Sequence, residues 1–149
     1  MIRYRKIDFG IVKANMDNLK GVLRRFGNNI SAAYFFGSFG SGDVKPLSDL
    51  DLAVLFDDSL NHHEMVVLEN KLRVDIAEAL HTDEIDMVIL NTAPLSVQYG
   101  TLKNKTIIIC ENSGQMVKYF DNTVLNYLDI LPYRTEMNRE FVNAVSLEM

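Results

Sequence analysis

Two stretches of the chain carry most of the information about its fold: residues 32–38 read AAYFFGS, and residues 48–56 read SDLDLAVLF. The first is an apolar run that ends in a Gly-Ser turn. The second opens with Asp49 and Asp51, and ten residues separate Ser38 from Asp49. Alternate side chains of a strand point to the same face, so the two carboxylates are expected to project together while the leucines between them face the core. A hard divalent cation relieves the repulsion between adjacent carboxylates. The pattern therefore predicts a magnesium–nucleotide site.

Length and composition indicate one globular domain spanning residues 1–149, since 48% of the residues are apolar and 23% are charged. No apolar run approaches the roughly 20 residues that a membrane span needs. The basic start of the chain has no apolar stretch behind it, so we predict neither a signal peptide nor a membrane partner. A single cysteine, Cys110, is compatible with the cytoplasm. Because Cys110 ends the apolar run 106–109, we expect a buried strand residue rather than a nucleophile.

The charge balance argues against a nucleic acid as the direct ligand. The net charge is −5, and the chain has no block rich in lysine or arginine, whereas proteins that bind duplexes present a basic face. A local patch near the start of the chain stays open as an alternative, because Arg3, Arg5, Lys6 and Lys13 cluster there.

Apolar periodicity predicts helices that alternate with strands. The predicted strands are Ile30–Phe36, Asp49–Phe56, Glu84–Leu90 and Lys105–Glu111. The predicted helices are Phe9–Phe26, a helix capped by Asn61 and Glu64 that runs to about His81, a short helix opened by Thr92–Pro94, a helix from Asn112 to near Pro132, and a last one over Thr135–Leu147. The last two make a helical C-terminal segment over about 112–147. This order predicts the α/β (α+β) class, with a small mixed sheet and helices packed against it.

A phosphoryl-transfer site needs a third carboxylate from a neighbouring strand. Asp86 is the strongest candidate, because it lies between apolar residues of a predicted strand, where an unpaired charge is costly to bury. It completes a triad with the Asp49–Asp51 pair if its strand lies beside theirs. Asp75, Asp83 and Glu84 are weaker candidates, since helices and turns hold acidic residues routinely.

Gly37 and Ser38 are the candidates for binding nucleotide phosphates. A glycine lets the backbone approach a phosphate closely, successive N–H groups in a turn form an anion site, and a serine hydroxyl adds a hydrogen bond. Lys45, or failing that Arg24 or Arg25, is a candidate cation for the triphosphate, but spacing selects none of the three.

Each of these features has a simpler explanation. Alone, a Gly-Ser pair is usually a turn, and an Asp-x-Asp pair is usually two exposed acidic residues. The prediction of a site therefore rests on the two pairs occurring together, with a third acidic residue on another strand. His62 and His63 are adjacent on a helix and point in different directions, which favours a solvated helix start over a metal site.

The apolar stripe Met116–Leu131 is predicted to be core or subunit contact, so a homo- or hetero-oligomer is possible.

The pattern of Gly37-Ser38, ten residues, and Asp49-x-Asp51 resembles the minimal nucleotidyltransferases of the DNA polymerase β superfamily. The resemblance extends over the whole chain. The strand with Asp86, the segment ILNTAP at 89–94 and the helix end at Tyr127–Asp129 are similar to MntA-type antitoxins, which pair with HEPN-domain ribonuclease toxins.

This resemblance implies a palm-like nucleotidyltransferase fold and an enzyme that transfers AMP from ATP to a tyrosine of its HEPN toxin. It implies that Gly37 and Ser38 bind the nucleotide phosphates, that Asp49 and Asp51 hold magnesium, with two ions expected, and that Asp86 is the third acid. Three rival functions remain. One is a non-catalytic antitoxin that binds and occludes its toxin, and another is a nucleotidyltransferase acting on a small molecule or an RNA end. The third is a regulatory subunit whose helical tail only mediates assembly.

Overall fold

The computed structural model describes residues 9–37, 50–82 and 84–147 of the chain. Four strands form one sheet in the order β3-β2-β1-β4. Strand β1 is antiparallel to both of its neighbours, whereas β2 and β3 run parallel. The predicted mixed sheet is therefore confirmed. The strand bounds are Ile30–Phe36 for β1, Leu50–Phe56 for β2, Ile85–Ile89 for β3 and Thr106–Cys110 for β4.

The helices alternate with the strands in the predicted order. They are α1 Phe9–Ala14, α2 Met16–Arg25, α3 His62–Leu80, α4 Leu95–Gly100 and α5 Ser113–Leu147, with a 3₁₀ turn at Gly27–Asn29. No helix in the described ranges combines the length and apolar character needed to cross a bilayer.

The two faces of the sheet carry separate apolar cores, and strand periodicity assigns each residue to one of them. Leu50 and Leu52 are fully buried against the core that includes residues of α2 and α3, as predicted from their alternation with the aspartates. Ala53 and Leu55 point the other way, into a core closed by residues of α5. Asp51 is two residues before Ala53 in the strand, so its side chain points to the same face of the sheet, the face packed by α5 (called the α5 face below).

Local capping holds the long helix α3 in place. The backbone N–H of Glu64 donates to Asn61 Oδ1 at 2.8 Å, and the backbone N–H of Asn61 donates to Glu64 Oε1 at 3.2 Å. This reciprocal pair satisfies two amide groups that a helix start leaves without partners. At the other end His81 adopts a left-handed conformation with φ 55°. The helix start and end therefore agree with the sequence prediction.

The first predicted helix is divided in two. Asn15, with φ −104° and ψ 15°, separates α1 from α2. Its side chain accepts a hydrogen bond of 2.8 Å from Asn18 Nδ2. Asparagine competes with the helical backbone for such local bonds, so its presence within an apolar helical pattern explains the break.

The prediction that a helix ends near Pro132 was wrong, because α5 continues through Pro132 to Leu147. A proline removes one backbone donor and crowds the carbonyl four residues before it. The helix continues all the same, and arginine, glutamate and methionine after the proline favour it. A helical C-terminal segment exists, but it is one element rather than two.

Cys110 also departs from expectation, because its side chain is exposed. It is the last residue of β4, a strand at the edge of the sheet. An edge strand has a neighbouring strand on one side only, so its last residue can be exposed even at the end of an apolar run.

Candidate active site

Asp51 and Asp86 are brought together by the parallel pairing of β2 with β3. The two residues are register partners, and the same ladder pairs Ala53 with Val88 on the α5 face. Neighbouring strands lie about 4.8 Å apart, so both carboxylates start from adjacent positions on one face. Asp51 is half-buried and Asp86 is exposed. The strand of the third acid therefore lies beside that of the pair, as the proposed triad requires.

Two of the predicted site residues, Ser38 and Asp49, lie outside the described residues. Within the described ranges, no three His, Cys, Asp or Glu side chains form a group that could hold a metal. Asp51 and Asp86 are two adjacent hard oxygen donors on an accessible face, which suits magnesium. The described part of the site thus fits the cation by its donor chemistry.

Gly37 brings the backbone against the carboxylate of Asp51. It follows the last residue of β1, Phe36, which is the register partner of Asp51. Gly37 has φ +68°, and a Cβ built on it would lie 2.5 Å from Asp51 Oδ2. Any other residue would combine a strained backbone with a clash against the carboxylate. The glycine is therefore required by both conformation and space.

The arginines considered as triphosphate partners lie at the wrong end of the sheet. Arg24 and Arg25 end α2, shortly before β1 begins at Ile30. Asp51 pairs with Phe36 at the other end of that strand. The seven residues of β1, at about 3.3 Å each, separate these ends by roughly 20 Å. Lys45, the remaining candidate, lies outside the described residues.

Sequence reasoning missed a different cation, Lys105. Thr106 of β4 pairs with Phe35, so the next antiparallel position places Lys105 opposite Phe36. A row across the sheet therefore reads Asp86, Asp51, Phe36, Lys105. The apolar run after Lys105 signalled a strand, but the sequence did not reveal which strand it joins.

The turn that leads to Lys105 is tied to the centre of the sheet. The hydroxyl of Thr101 donates to the carbonyl of Gln98 at 2.8 Å, so Tyr34 Oη is the donor in its 2.7 Å bond to Thr101 Oγ1. Burial raises the pKa of Tyr34 to about 12, and the bond to Thr101 has a smaller, opposite effect on this pKa. The phenol thus stays protonated at neutral pH and anchors this turn.

A family model described as "Polymerase beta, Nucleotidyltransferase" matches residues 17–114, from α2 to the start of α5. The chain belongs to the polymerase beta nucleotidyltransferase family. The matched range includes Gly37, Asp51 and Asp86, and the family and fold predicted from the sequence are confirmed. No curated protein matches the sequence of this nucleotidyltransferase.

Solved structures of the same fold come from toxin–antitoxin systems. One is a crystallised toxin–antitoxin with AMP-PNP, at 22% identity and a TM-score of 0.68, covering 86% of this chain and 98% of that one. Another is a tri-AMPylated Shewanella oneidensis HEPN toxin in complex with MNT antitoxin, at 20% identity and a TM-score of 0.65, covering 87% and 98%. A third is the toxin–antitoxin MntA-HepT, at 20% identity and a TM-score of 0.64, covering 87% and 98%. At these identities the likeness shows the shared fold.

Proposed function

We propose that this nucleotidyltransferase is a cytoplasmic antitoxin that transfers AMP from ATP to a tyrosine hydroxyl of a HEPN ribonuclease toxin. The observation that carries the proposal is the pairing of Asp51 with Asp86 on one face, with Gly37 against Asp51. The likeness to chains from an AMPylated HEPN toxin complex supports the choice of acceptor.

Asp49, Asp51 and Asp86 are the residues that hold magnesium in this proposal, with two ions expected. When bound, magnesium neutralises charge on the α-phosphate and on the leaving pyrophosphate. The ladder on one side of Asp51 and the close approach of Gly37 on the other support this role for its carboxylate.

The transfer step forms one bond and breaks another. The tyrosine oxygen attacks the α-phosphorus of ATP in line with the oxygen that bridges to the β-phosphate. The phosphorus–oxygen bond to tyrosine forms as the bond to pyrophosphate breaks, and Asp86 accepts the hydroxyl proton. The backbone N–H groups at Gly37 and Ser38, with the Ser38 hydroxyl, bind the departing pyrophosphate.

The far half of α5 supplies a surface for the protein partner. Tyr133, Met137 and Phe141 are 73%, 69% and 70% exposed. At about 100° per residue, Met137 lies five full turns beyond Tyr119, which packs on the sheet from the first half of the helix, and Tyr133 and Phe141 lie about 40° to either side of Met137. In the described ranges no element covers this stripe, so we propose that the toxin packs on it.

Adding negative charge to this stripe tests the contact. We expect Met137→Asp with Phe141→Asp to weaken the toxin complex at least about tenfold, because large apolar anchors dominate interface energies. Thr135→Asp with Asn143→Asp adds the same charge on other faces of the helix and is the matched control. Calorimetry gives the dissociation constants for both variants. Equal weakening by the two pairs would contradict the assignment of this face.

Intact-mass spectrometry tests the transfer itself. The chain is incubated with ATP, Mg²⁺ and its co-encoded toxin, beside the Asp49→Asn/Asp51→Asn variant. We expect the toxin to gain one or more AMP units with the native chain and none with the variant. A complex that forms without any gain in mass would contradict the proposed transfer.

The same variant separates the rival functions. Full neutralisation of the toxin by Asp49→Asn/Asp51→Asn would indicate occlusion rather than catalysis. Transfer of labelled AMP to added aminoglycosides or RNA, with none to the toxin, would indicate a different acceptor.

A further inference from the structure

Lys105 lies in the same row of the sheet as the two described acids. Phe36, the last residue of β1, has Asp51 on one side and the Lys105 position on the other. Gly37 follows immediately, so its backbone N–H lies at the end of the strand between the acid strand and the lysine strand. An anion bound at this turn thus has carboxylates on one flank and an ammonium on the other.

The surroundings of Lys105 hold its side chain on this face. Its Nζ lies 5.1 Å from the centroid of the Phe120 ring on α5, which is a cation–π distance. Phe120 in turn packs edge-on against Tyr34 at 5.8 Å. Among the described residues, the ion pairs join other side chains, and none involves Lys105. The ammonium is therefore oriented, and no carboxylate of residues 9–37, 50–82 or 84–147 pairs with it.

We infer that Lys105 binds the β- and γ-phosphates of the nucleotide held at Gly37, an inference that rests on the proposed function. Its strand is two strands from β2, about 10 Å across the sheet, and a lysine side chain covers about half that span. A triphosphate anchored at the turn lies between them. Lysine binds phosphates as a point charge, which suits the mobile terminal phosphates.

This placement predicts which nucleotides depend on the lysine. ATP presents the terminal phosphates to Lys105, whereas AMP has none beyond the α-phosphate. The lysine thus favours the triphosphate donor over the monophosphate and steadies the pyrophosphate as it leaves.

Nucleotide affinity of the full chain, measured by calorimetry with Mg²⁺, tests the inference. We expect Lys105→Met to weaken ATP binding about 10- to 100-fold, the effect of losing one charged hydrogen bond, and to leave AMP binding unchanged. Methionine keeps an apolar stem over Phe120. Lys105→Arg should recover most of the ATP affinity. Lys103→Met, an exposed lysine of the same turn, is the matched control and should bind ATP normally.

Several results would overturn the inference. An equal loss for ATP and AMP, or a loss accompanied by a lower melting temperature, would show that Lys105 only fastens α5 to the sheet. Unchanged ATP affinity in Lys105→Met, or no ATP binding by the native chain, would also contradict it. A native chain that binds ATP in this lysine-dependent way but leaves the toxin unmodified would contradict the proposed transfer alone.

Discussion

We expect the Asp86→Asn variant to transfer AMP about 100- to 10,000-fold more slowly than the native chain, the range for loss of a positioned acid–base group. Asparagine matches the size of aspartate but neither accepts the tyrosine proton nor contributes charge to a metal site. Asp86 is exposed and lies beside Asp51 in the ladder, so the substitution leaves the two apolar cores untouched. Single-turnover transfer to the toxin at saturating ATP measures the rate.

The control for this variant is Glu111→Gln. Glu111 is an exposed acid just after β4, and its backbone N–H bonds to Ser31 near the start of β1, the end of the sheet away from Asp51. The Glu111→Gln substitution removes the same charge at a position outside the site, so we expect this variant to transfer AMP at the native rate. A rate for Asp86→Asn within a few-fold of the native value would show that β3 contributes no reacting group.

The second large effect is expected for Gly37→Ala. The new Cβ would meet Asp51 Oδ2 at 2.5 Å, so the carboxylate or the turn must shift. Displacements of about 1 Å cost on the order of 100-fold in rate when they misplace reacting groups. We also expect a loss of roughly 1–3 kcal/mol in the free energy of unfolding, because alanine is strained at positive φ.

Gly27→Ala separates these two consequences. Gly27 has φ +59°, but a Cβ there meets nothing within 4 Å. Its variant should therefore lose stability to a similar extent and transfer AMP at the native rate. Chemical denaturation gives the stability of each variant, and transfer to the toxin gives the activity. If Gly27→Ala lost as much activity as Gly37→Ala, strain alone would explain the effect and the contact with Asp51 would be irrelevant.

Local patterns predicted the strands, most helix boundaries and the face that most strand residues bury. The alternation around Asp51 assigned Leu50 and Leu52 to the core. The spacing of Asn61 and Glu64 predicted a helix cap, and the structure contains both of its hydrogen bonds. These features depend on residues within a few positions of one another. For the same reason the Gly-Ser turn and the acidic pair could be recognised as a nucleotidyltransferase pattern without knowledge of the packing.

The order of the strands was beyond such reasoning. Placing β3 beside β2 brings Asp86 to Asp51, and placing β4 on the other side of β1 brings Lys105 to the same row. The same arrangement moves Arg24 and Arg25 away from the acids. Contacts of this kind join residues far apart in sequence, and their free energy comes from burying both faces of the sheet at once.

The amino-acid sequence alone thus predicts the strands, the cap of α3, the Gly-Ser and aspartate pattern and the family to which the chain belongs. Packing accounts for the partner of each strand, the exposure of Cys110 and the passage of α5 through Pro132. The difference has a physical cause. Backbone conformation and side-chain parity follow from neighbours along the chain, whereas strand pairing and solvent exposure follow from which distant surfaces meet.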